Sequence, residues 1–77
     1  MFSESNGALS AEFTFSDFAE AFAFMTQVAA IAEEMGHHPD MAISWNRVSI
    51  SCSTHDAGGV VTDLDRVLAA RIIGLAP

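Results

Sequence analysis

The stretch MGHHPDMAISWNRVSISC, residues 35–52, contains the end of a helix and two candidate strands. Gly36 is typical of a helix end, because glycine readily adopts the left-handed backbone found just past a helix. Pro39 cannot continue a helix and biases the residue before it toward extended geometry. After the proline, apolar residues alternate with small or polar ones in two runs, separated by a predicted turn at Asn46-Arg47. The stretch therefore predicts two strands, with their apolar positions at Met41, Ile43, Trp45, Val48, Ile50 and Cys52.

The residues ahead of this stretch predict a β-hairpin and a long helix. Asn6-Gly7 favours a type I′ turn, which needs positive φ at both central residues. The flanking strands are expected roughly over residues 2–5 and 8–15. Ser16 is predicted to cap the helix, because a serine oxygen can accept a hydrogen bond from the first helical turn. The helix should run to about Met35.

This helix carries more apolar residues than one buried face requires. The strip predicted to face the core recurs at three- and four-residue steps and contains Phe18, Phe22, Met25, Val28 or Ala29, and Ala32. A second strip contains Phe24, Ile31 and Met35. The second strip is either part of a wide face packed on the sheet or a contact between subunits.

The last third of the chain predicts a loop and a final helix. The loop THDAGGVV, residues 54–61, leads to Thr62, whose spacing to Asp65 resembles a capping box. The final helix is expected to bury Leu64, Val67, Leu68 and Ile72. The element order predicts a single α+β domain over residues 1–77. Its expected architecture is a two-layer sandwich, a four-stranded, mainly antiparallel sheet with two helices on one face.

Composition restricts the classes of partner. The 77 residues include three Lys and Arg against ten Asp and Glu, for a net charge of −7. Nucleic acids and anionic membranes are disfavoured, because both are bound through clustered basic residues. The first residues have neither the basic flank nor the apolar run of a signal peptide, and no apolar run approaches the ~20 residues that span a bilayer. We expect a soluble, cytoplasmic protein.

A chain of this length buries a marginal core and usually needs another source of stability. Cys52 is the only cysteine, which excludes an internal disulfide, and its place in an alternating run predicts a buried, inert thiol. A structural metal or self-association remains. The 51% hydrophobic content favours self-association, as a dimer or a larger oligomer.

The three histidines fall at two junctions between predicted elements. His37 and His38 lie just past the helix, four residues after Glu33 and Glu34 respectively, and His55 lies in the loop that contains two glycines. One interpretation is that His55 is a surface residue and that His37 and His38 only belong to the segment that ends the helix. Another is proton transfer, because imidazole titrates near neutral pH, where an acid–base catalyst works best.

Two further kinds of site are disfavoured. A zinc site needs three converging ligands, whereas adjacent side chains in an extended segment diverge. A Ser-His-Asp hydrolase is disfavoured because the chain has no G-x-S-x-G elbow. Composition and spacing therefore leave proton transfer as one possible function of the histidines, but they do not identify a substrate.

The spacing of these residues resembles a known signature. Glu33, then His37-His38-Pro39, Trp45, His55 and Asp65 follow one another at the intervals of the pterin-4a-carbinolamine dehydratases. The segments NGAL, FTFSDFAEAFAFM, VAAIAEEMGHHPD, WNRVSISCSTHDAGG and LDRVLAARI also fall in the family's order, over about residues 6–72. Two departures are that many members carry an extra helix before the first hairpin, and that GGVVTDLD is one residue longer than usual.

The resemblance implies an enzyme that removes water from 4a-hydroxytetrahydropterin to give quinonoid dihydropterin. That carbinolamine is produced by pterin-dependent aromatic amino acid hydroxylases. By matched position, His37 and His55 are the implied acid–base pair, and His38 orients the substrate. The implied lining of the pterin pocket contains Thr54 and Asp56, with Trp45 as a candidate stacking partner. Pro39 is implied to fix the turn that aims the two adjacent histidines apart. Glu33 and Asp65 are implied to support the imidazoles, and no metal or redox cofactor is implied.

The resemblance also implies homodimers or homotetramers, in which sheets join edge to edge and the long helices pair. The alternative function is a non-catalytic module of the same fold. One animal member is a dimerisation cofactor for a homeodomain transcription factor, and some bacterial relatives resemble assembly chaperones for ribulose bisphosphate carboxylase that have lost catalytic residues. The three histidines and the His-Pro step of this chain favour catalysis.

Overall fold

The computed structural model describes residues 1–75, and its strands and helices follow one another in the predicted order. The elements are, in order, β1 (Ser3–Ser5), β2 (Ala8–Thr14), α1 (Phe18–Met35), β3 (Asp40–Ser44), β4 (Arg47–Cys52), a 3-10 turn (His55–Ala57) and α2 (Asp63–Leu75). Neither helix within these residues combines the length and apolar character needed to cross a bilayer.

The four strands form one sheet in the order β1-β2-β4-β3, with every neighbouring pair antiparallel. Leu9 of β2 lies opposite Cys52, and Ile50 of β4 lies between Ala11 and Met41. Because side chains alternate along a strand, these apolar residues share the face that the two helices cover. The predicted α+β sandwich is confirmed.

Two-residue turns set the registers of both hairpins. Asn6 and Gly7 have φ values of 53° and 78°, which is the positive φ that the first turn was predicted to need. The second turn falls at Trp45-Asn46, one residue earlier than predicted, with Trp45 at φ 51°. The Asn46 side-chain amide donates to the Phe15 carbonyl oxygen at 2.9 Å, and the Phe15 N–H donates to the Asn46 carbonyl oxygen at 2.8 Å. These two bonds fix Asn46 inside the turn, so Trp45 leaves the strand.

Both ends of α1 are capped. Asp17, rather than the predicted Ser16, is the N-cap: its carboxylate accepts from the Glu20 N–H at 2.8 Å. The Glu20 side chain in turn accepts from the Ser16 N–H at 3.1 Å. At the other end Gly36 has φ 65°, as predicted for a left-handed residue that ends a helix.

The prediction of which α1 strip faces the core was partly correct, because Val28 and Ala32 of that strip are buried but its two phenylalanines are not. Phe24 is 3% exposed, whereas Phe18 and Phe22 are 50% and 53% exposed. The Phe24 ring lies 4.9 Å from the Phe13 ring and 5.0 Å from the Phe15 ring, centroid to centroid. Both strips satisfy helical spacing, and these contacts with β2 and the residue just after it turn α1 so that Phe24 of the second strip is buried beside Val28 and Ala32 of the first. The buried residues of α1 are Ala21, Phe24, Val28 and Ala32.

The rest of the core comes from β4 and α2. Val48, Ile50 and Cys52 are buried as predicted. Burial raises the pKa of the Cys52 thiol to about 11, with further contributions from the negative charges of Asp65 and Asp40. Leu68 and Ile72 are buried, but Leu64 and Val67 are exposed, contrary to the prediction for this helix.

Truncating the two neighbouring phenylalanines should test which face of α1 is buried. Phe24→Ala should lower the free energy of unfolding by about 3–5 kcal/mol, because it leaves a cavity in the core. Phe22→Ala should change it by no more than about 0.5 kcal/mol, as is usual at exposed positions. Urea unfolding at one low protein concentration, where self-association contributes least, measures both. Equal losses would contradict the assignment of faces.

Candidate acid–base site

His37 joins the end of α1 to the beginning of α2. Its backbone N–H donates to the Ala32 carbonyl oxygen at 3.1 Å, which holds the residue against the last helical turn. Its Nε2 lies 2.6 Å from Oδ1 of Asp65. The His37 side chain is 11% exposed and that of Asp65 is fully buried. The two groups therefore form a shielded histidine–carboxylate pair.

Two groups besides His37 donate hydrogen bonds to the buried Asp65 carboxylate. Its Oδ2 accepts from the Thr54 hydroxyl at 2.8 Å and from the Thr62 N–H at 2.8 Å. The Thr62 hydroxyl lies 2.6 Å from the Thr54 hydroxyl. Because Thr54 has one hydroxyl proton and gives it to Asp65, the Thr62 hydroxyl must donate to Thr54. The result is a directed chain of hydrogen bonds that ends on the carboxylate.

These hydrogen bonds decide the ionisation of Asp65. Burial acts to raise its pKa, but the hydrogen bond from His37 and those from the Thr62 N–H and the Thr54 hydroxyl outweigh it and hold the pKa below its ordinary value. The carboxylate is therefore ionised at neutral pH and accepts the proton on His37 Nε2. A neutral His37 ring then has its lone pair on Nδ1, the nitrogen that can act as a base.

His55 lies on a closed loop that begins at the same threonine. The Thr54 N–H donates to the Val60 carbonyl oxygen at 2.9 Å, and the Gly59 N–H donates back to the Thr54 carbonyl oxygen at 3.1 Å. His55 is exposed at the start of the 3-10 turn and is followed by exposed Asp56. Because Thr54 contacts Asp65, the structure places His55 at the same end of the molecule as His37.

His38 belongs to a separate pair. Its Nε2 lies 2.9 Å from Oε1 of Glu33, and both side chains are largely exposed. The adjacent histidines thus have different partners, Asp65 for the first and Glu33 for the second. Pro39 is half-buried and leads directly into β3.

Trp45 is not brought to the histidines within one copy of the chain. It lies in the turn at the far end of β3, which is five residues long, and is 67% exposed. At a strand rise of about 3.3 Å per residue, the six steps from Pro39 to Trp45 separate the two residues by roughly 20 Å. The strand predicted over Met41–Trp45 implies this separation, which the family signature by itself does not show.

Thr62 is the residue of this cluster that was predicted only as a helix cap. The capping-box spacing did contain the signal, because the Asp65 carboxylate accepts from the Thr62 N–H as a capping box requires. The hydroxyl chain through Thr54 was not foreseeable, since those residues come from different elements. Within residues 1–75, no three or more His, Cys, Asp or Glu side chains are arranged to hold a metal ion.

A concavity of about 570 Å³ lies on the open face of the sheet, away from the helices. Its lining includes Ser10, Glu12, Asp40 and Ser51 and none of the three histidines. The candidate acid–base site is instead a surface around the ends of α1 and β4, with Asp65 beneath it.

Comparison with known proteins gives a consistent family. Residues 2–75 match the model described as Pterin 4 alpha carbinolamine dehydratase. A curated relative from Synechococcus sp. (strain WH7803) is 54% identical over 90% of this chain and 73% of its own length. One from Rhizorhabdus wittichii is 48% identical over 97% of this chain and 76% of its own length. Both are named "Putative pterin-4-alpha-carbinolamine dehydratase".

Two solved structures share the fold. A transcriptional coactivator/pterin dehydratase from Brucella melitensis has a TM-score of 0.92 and 35% identity, covering 99% of this chain and 82% of its own. A pterin dehydratase-like protein identified as a RuBisCO assembly factor in the alpha-carboxysome has a TM-score of 0.78 and 28% identity, covering 99% and 87%.

Acid should destabilise the protein partly through Asp65. Since its folded-state pKa is below the unfolded value of about 3.9, its stabilising effect is fully present above that value and is lost as pH falls through the folded pKa. Asp65→Asn should therefore flatten the loss of stability as pH falls below about 4, and should cost about 1–3 kcal/mol at pH 7. Urea unfolding across this range measures both effects.

The matched control is Asp63→Asn, because Asp63 is an exposed carboxylate in the same helical turn. It should retain the acid slope of the original protein. An unchanged slope in Asp65→Asn would contradict the assignment of a stabilising, ionised carboxylate to Asp65.

Proposed function

This chain belongs to the pterin-4a-carbinolamine dehydratase family, and from that premise we propose that it dehydrates 4a-hydroxytetrahydropterin to quinonoid dihydropterin. The observation that carries the proposal is the 2.6 Å contact between His37 and the buried Asp65 carboxylate. A histidine held in one tautomer by a shielded carboxylate is suited to moving protons.

The reaction needs two proton movements and no electron transfer. A proton must reach the departing 4a-hydroxyl so that it leaves as water, and another must be removed from a ring nitrogen. The bond that breaks is the C4a–O bond, and the electron pair from the deprotonated nitrogen forms the new double bond. Because only protons and water are exchanged, the proposed reaction requires no metal or redox cofactor.

We assign His37 and His55 as the acid–base pair. The Asp65 carboxylate accepts from Nε2 of His37, so Nδ1 is the nitrogen that exchanges a proton with substrate. The 2.6 Å contact with Asp65 also fixes the orientation of the His37 ring, so that Nδ1 stays turned away from the carboxylate. His55, exposed at the same end of the molecule, supplies the second proton transfer.

The remaining residues have supporting roles in this proposal. His38, held by Glu33 at 2.9 Å, orients the substrate, and Pro39 keeps the adjacent histidines apart. Thr54 supports Asp65 through its hydroxyl, while Asp56 remains a candidate for substrate contact. Trp45 can reach a substrate bound at the histidines only if another copy of the chain contributes it.

A second candidate function is assembly or partner binding without catalysis. It is supported by the structural likeness to a RuBisCO assembly factor and by the exposed apolar residues of both helices. The buried His37–Asp65 pair favours the enzyme, since docking another protein does not require a shielded carboxylate that fixes an imidazole. Turnover measurements separate the two functions.

Replacing either proposed catalytic histidine should abolish most of the activity. His37→Ala and His55→Ala should each lower the rate of carbinolamine dehydration by about 10²–10⁴-fold, the usual contribution of a general acid or base. Stopped-flow ultraviolet spectroscopy of carbinolamine decay, with and without protein, gives the rates. Circular dichroism checks that the fold is retained.

Arg47→Ala is the control, because Arg47 is exposed at the Trp45-Asn46 turn, at the far end of the sheet. It should keep the original rate. Wild-type turnover in both histidine variants, or decay that the original protein does not accelerate, would end the enzymatic assignment and leave the binding function.

We also propose that the protein is cytoplasmic and forms a homodimer or homotetramer. Phe18 and Phe22 stack with ring centroids 6.0 Å apart on the exposed face of α1. Burying such a pair between copies supplies the apolar burial that a small core lacks. The net charge of −7 disfavours nucleic acid as a partner.

Adding a charge to this face should reduce the size of the particle. Phe22→Glu should shift sedimentation velocity toward the monomer, because it places an unpaired carboxylate in the proposed contact. Val67→Glu, an equivalent change at an exposed position of α2, should leave the mass unchanged. A monomeric original protein, or equal effects from both variants, would contradict the α1 contact.

A further inference from the structure

The turn of the first hairpin touches the loop that carries His55. A β-carbon built on Gly7 would overlap the carbonyl oxygen of Gly59, and would lie 3.5 Å from the Gly59 carbonyl carbon and 3.8 Å from the Val60 Cα. At the other four glycines a β-carbon would meet no atom within 4 Å. Gly7 is thus the glycine at which any side chain would collide with a neighbouring segment of backbone.

The strand register explains this contact. Leu9 lies opposite Cys52 in the antiparallel pair of β2 and β4, and continuing that register would set Gly7 opposite Thr54. The chain instead folds back after Thr54, which forms a bridge with Val60. The Gly59 carbonyl consequently occupies the space beside Gly7.

The loop can transmit a displacement of Gly59 to His55. The Gly59 N–H donates to the Thr54 carbonyl oxygen at 3.1 Å, and the Gly58 N–H donates to the His55 carbonyl oxygen at 3.0 Å. His55 therefore belongs to a short loop that is closed by backbone hydrogen bonds. Gly59 of this loop lies against Gly7. His37 is held elsewhere, by Asp65.

We propose that Gly7 is a positioning residue for His55. Contact with the hairpin turn fixes the position of the 54–60 loop, and the loop fixes the position of the His55 imidazole. This inference rests on the proposed dehydratase function for its kinetic consequence. Its structural consequence, a displaced His55, does not depend on that function.

Two substitutions at Gly7 and one beside it form the test. Gly7→Ala and Gly7→Asn both introduce a β-carbon, but asparagine tolerates the positive φ of 78° far better than alanine does. Asn6→Ala strains the same turn, at φ 53°, without placing any new atom near Gly59. Both Gly7 variants should lower kcat by about tenfold to a hundredfold, the cost of misplacing a catalytic group by about 1 Å, with KM nearly unchanged. Asn6→Ala should lower the melting temperature and keep kcat.

Nuclear magnetic resonance supplies a measurement, the ring signals of His55, that would not change if Gly7 only stabilised the fold. In both Gly7 variants the ring signals of His55 should shift while those of His37 stay in place. In the original protein, a nuclear Overhauser contact should join the Gly7 and Val60 α-protons, a measurement that needs no variant to fold.

Recovery of kcat in Gly7→Asn would show that backbone strain, not contact with Gly59, matters, and would overturn the proposal. Unshifted His55 signals in both Gly7 variants, or no Overhauser contact in the original protein, would also overturn it. If the original protein does not accelerate dehydration, the proposed function fails, while the His55 shifts still decide the positional claim.

Discussion

The structure depends on one buried charge. An ionised carboxylate cannot remain inside a protein without hydrogen bonds to it, and the alternative to satisfying Asp65 is protonating it or exposing it. Its partners come from three parts of the chain: His37 after α1, Thr54 after β4, and Thr62 before α2. The carboxylate therefore ties both helices and the β4 end together at one point. Removing it would loosen the same contacts that orient the imidazole.

The strands were predictable because their signals are local. Alternation over residues 48–52 and the turn preference of Asn6-Gly7 act within a few residues, and the structure reproduces both. The buried face of α1 was not predictable in the same way. Both apolar strips have helical periodicity, and the buried face takes residues from each: Val28 and Ala32 from one, and Phe24, which packs on the rings of Phe13 and Phe15, from the other. The shift of the second turn has a similar origin, since Asn46 is bound by Phe15, 31 residues earlier.

The candidate site was likewise predictable only in part: local spacing indicated its residues, but not their contacts. The spacing of histidines, proline and aspartate pointed to the right elements, because that pattern resembles a family signature. It did not indicate which acid serves which imidazole. The structure gives Asp65 to His37, 28 residues away, and Glu33 to His38. Nor did it indicate that the hydroxyl of Thr54 donates to a carboxylate. Each of these depends on how the elements pack.

Cys52 illustrates what such packing does to a reactive group. With the pKa of its thiol raised to about 11, only about one molecule in ten thousand carries a thiolate at pH 7. Thiolate is the form that peroxide and electrophiles attack, so folding itself protects this sulfur. His55 of the candidate site lies three residues beyond Cys52, so a thiol that stays protonated also keeps intact the strand that leads into that site.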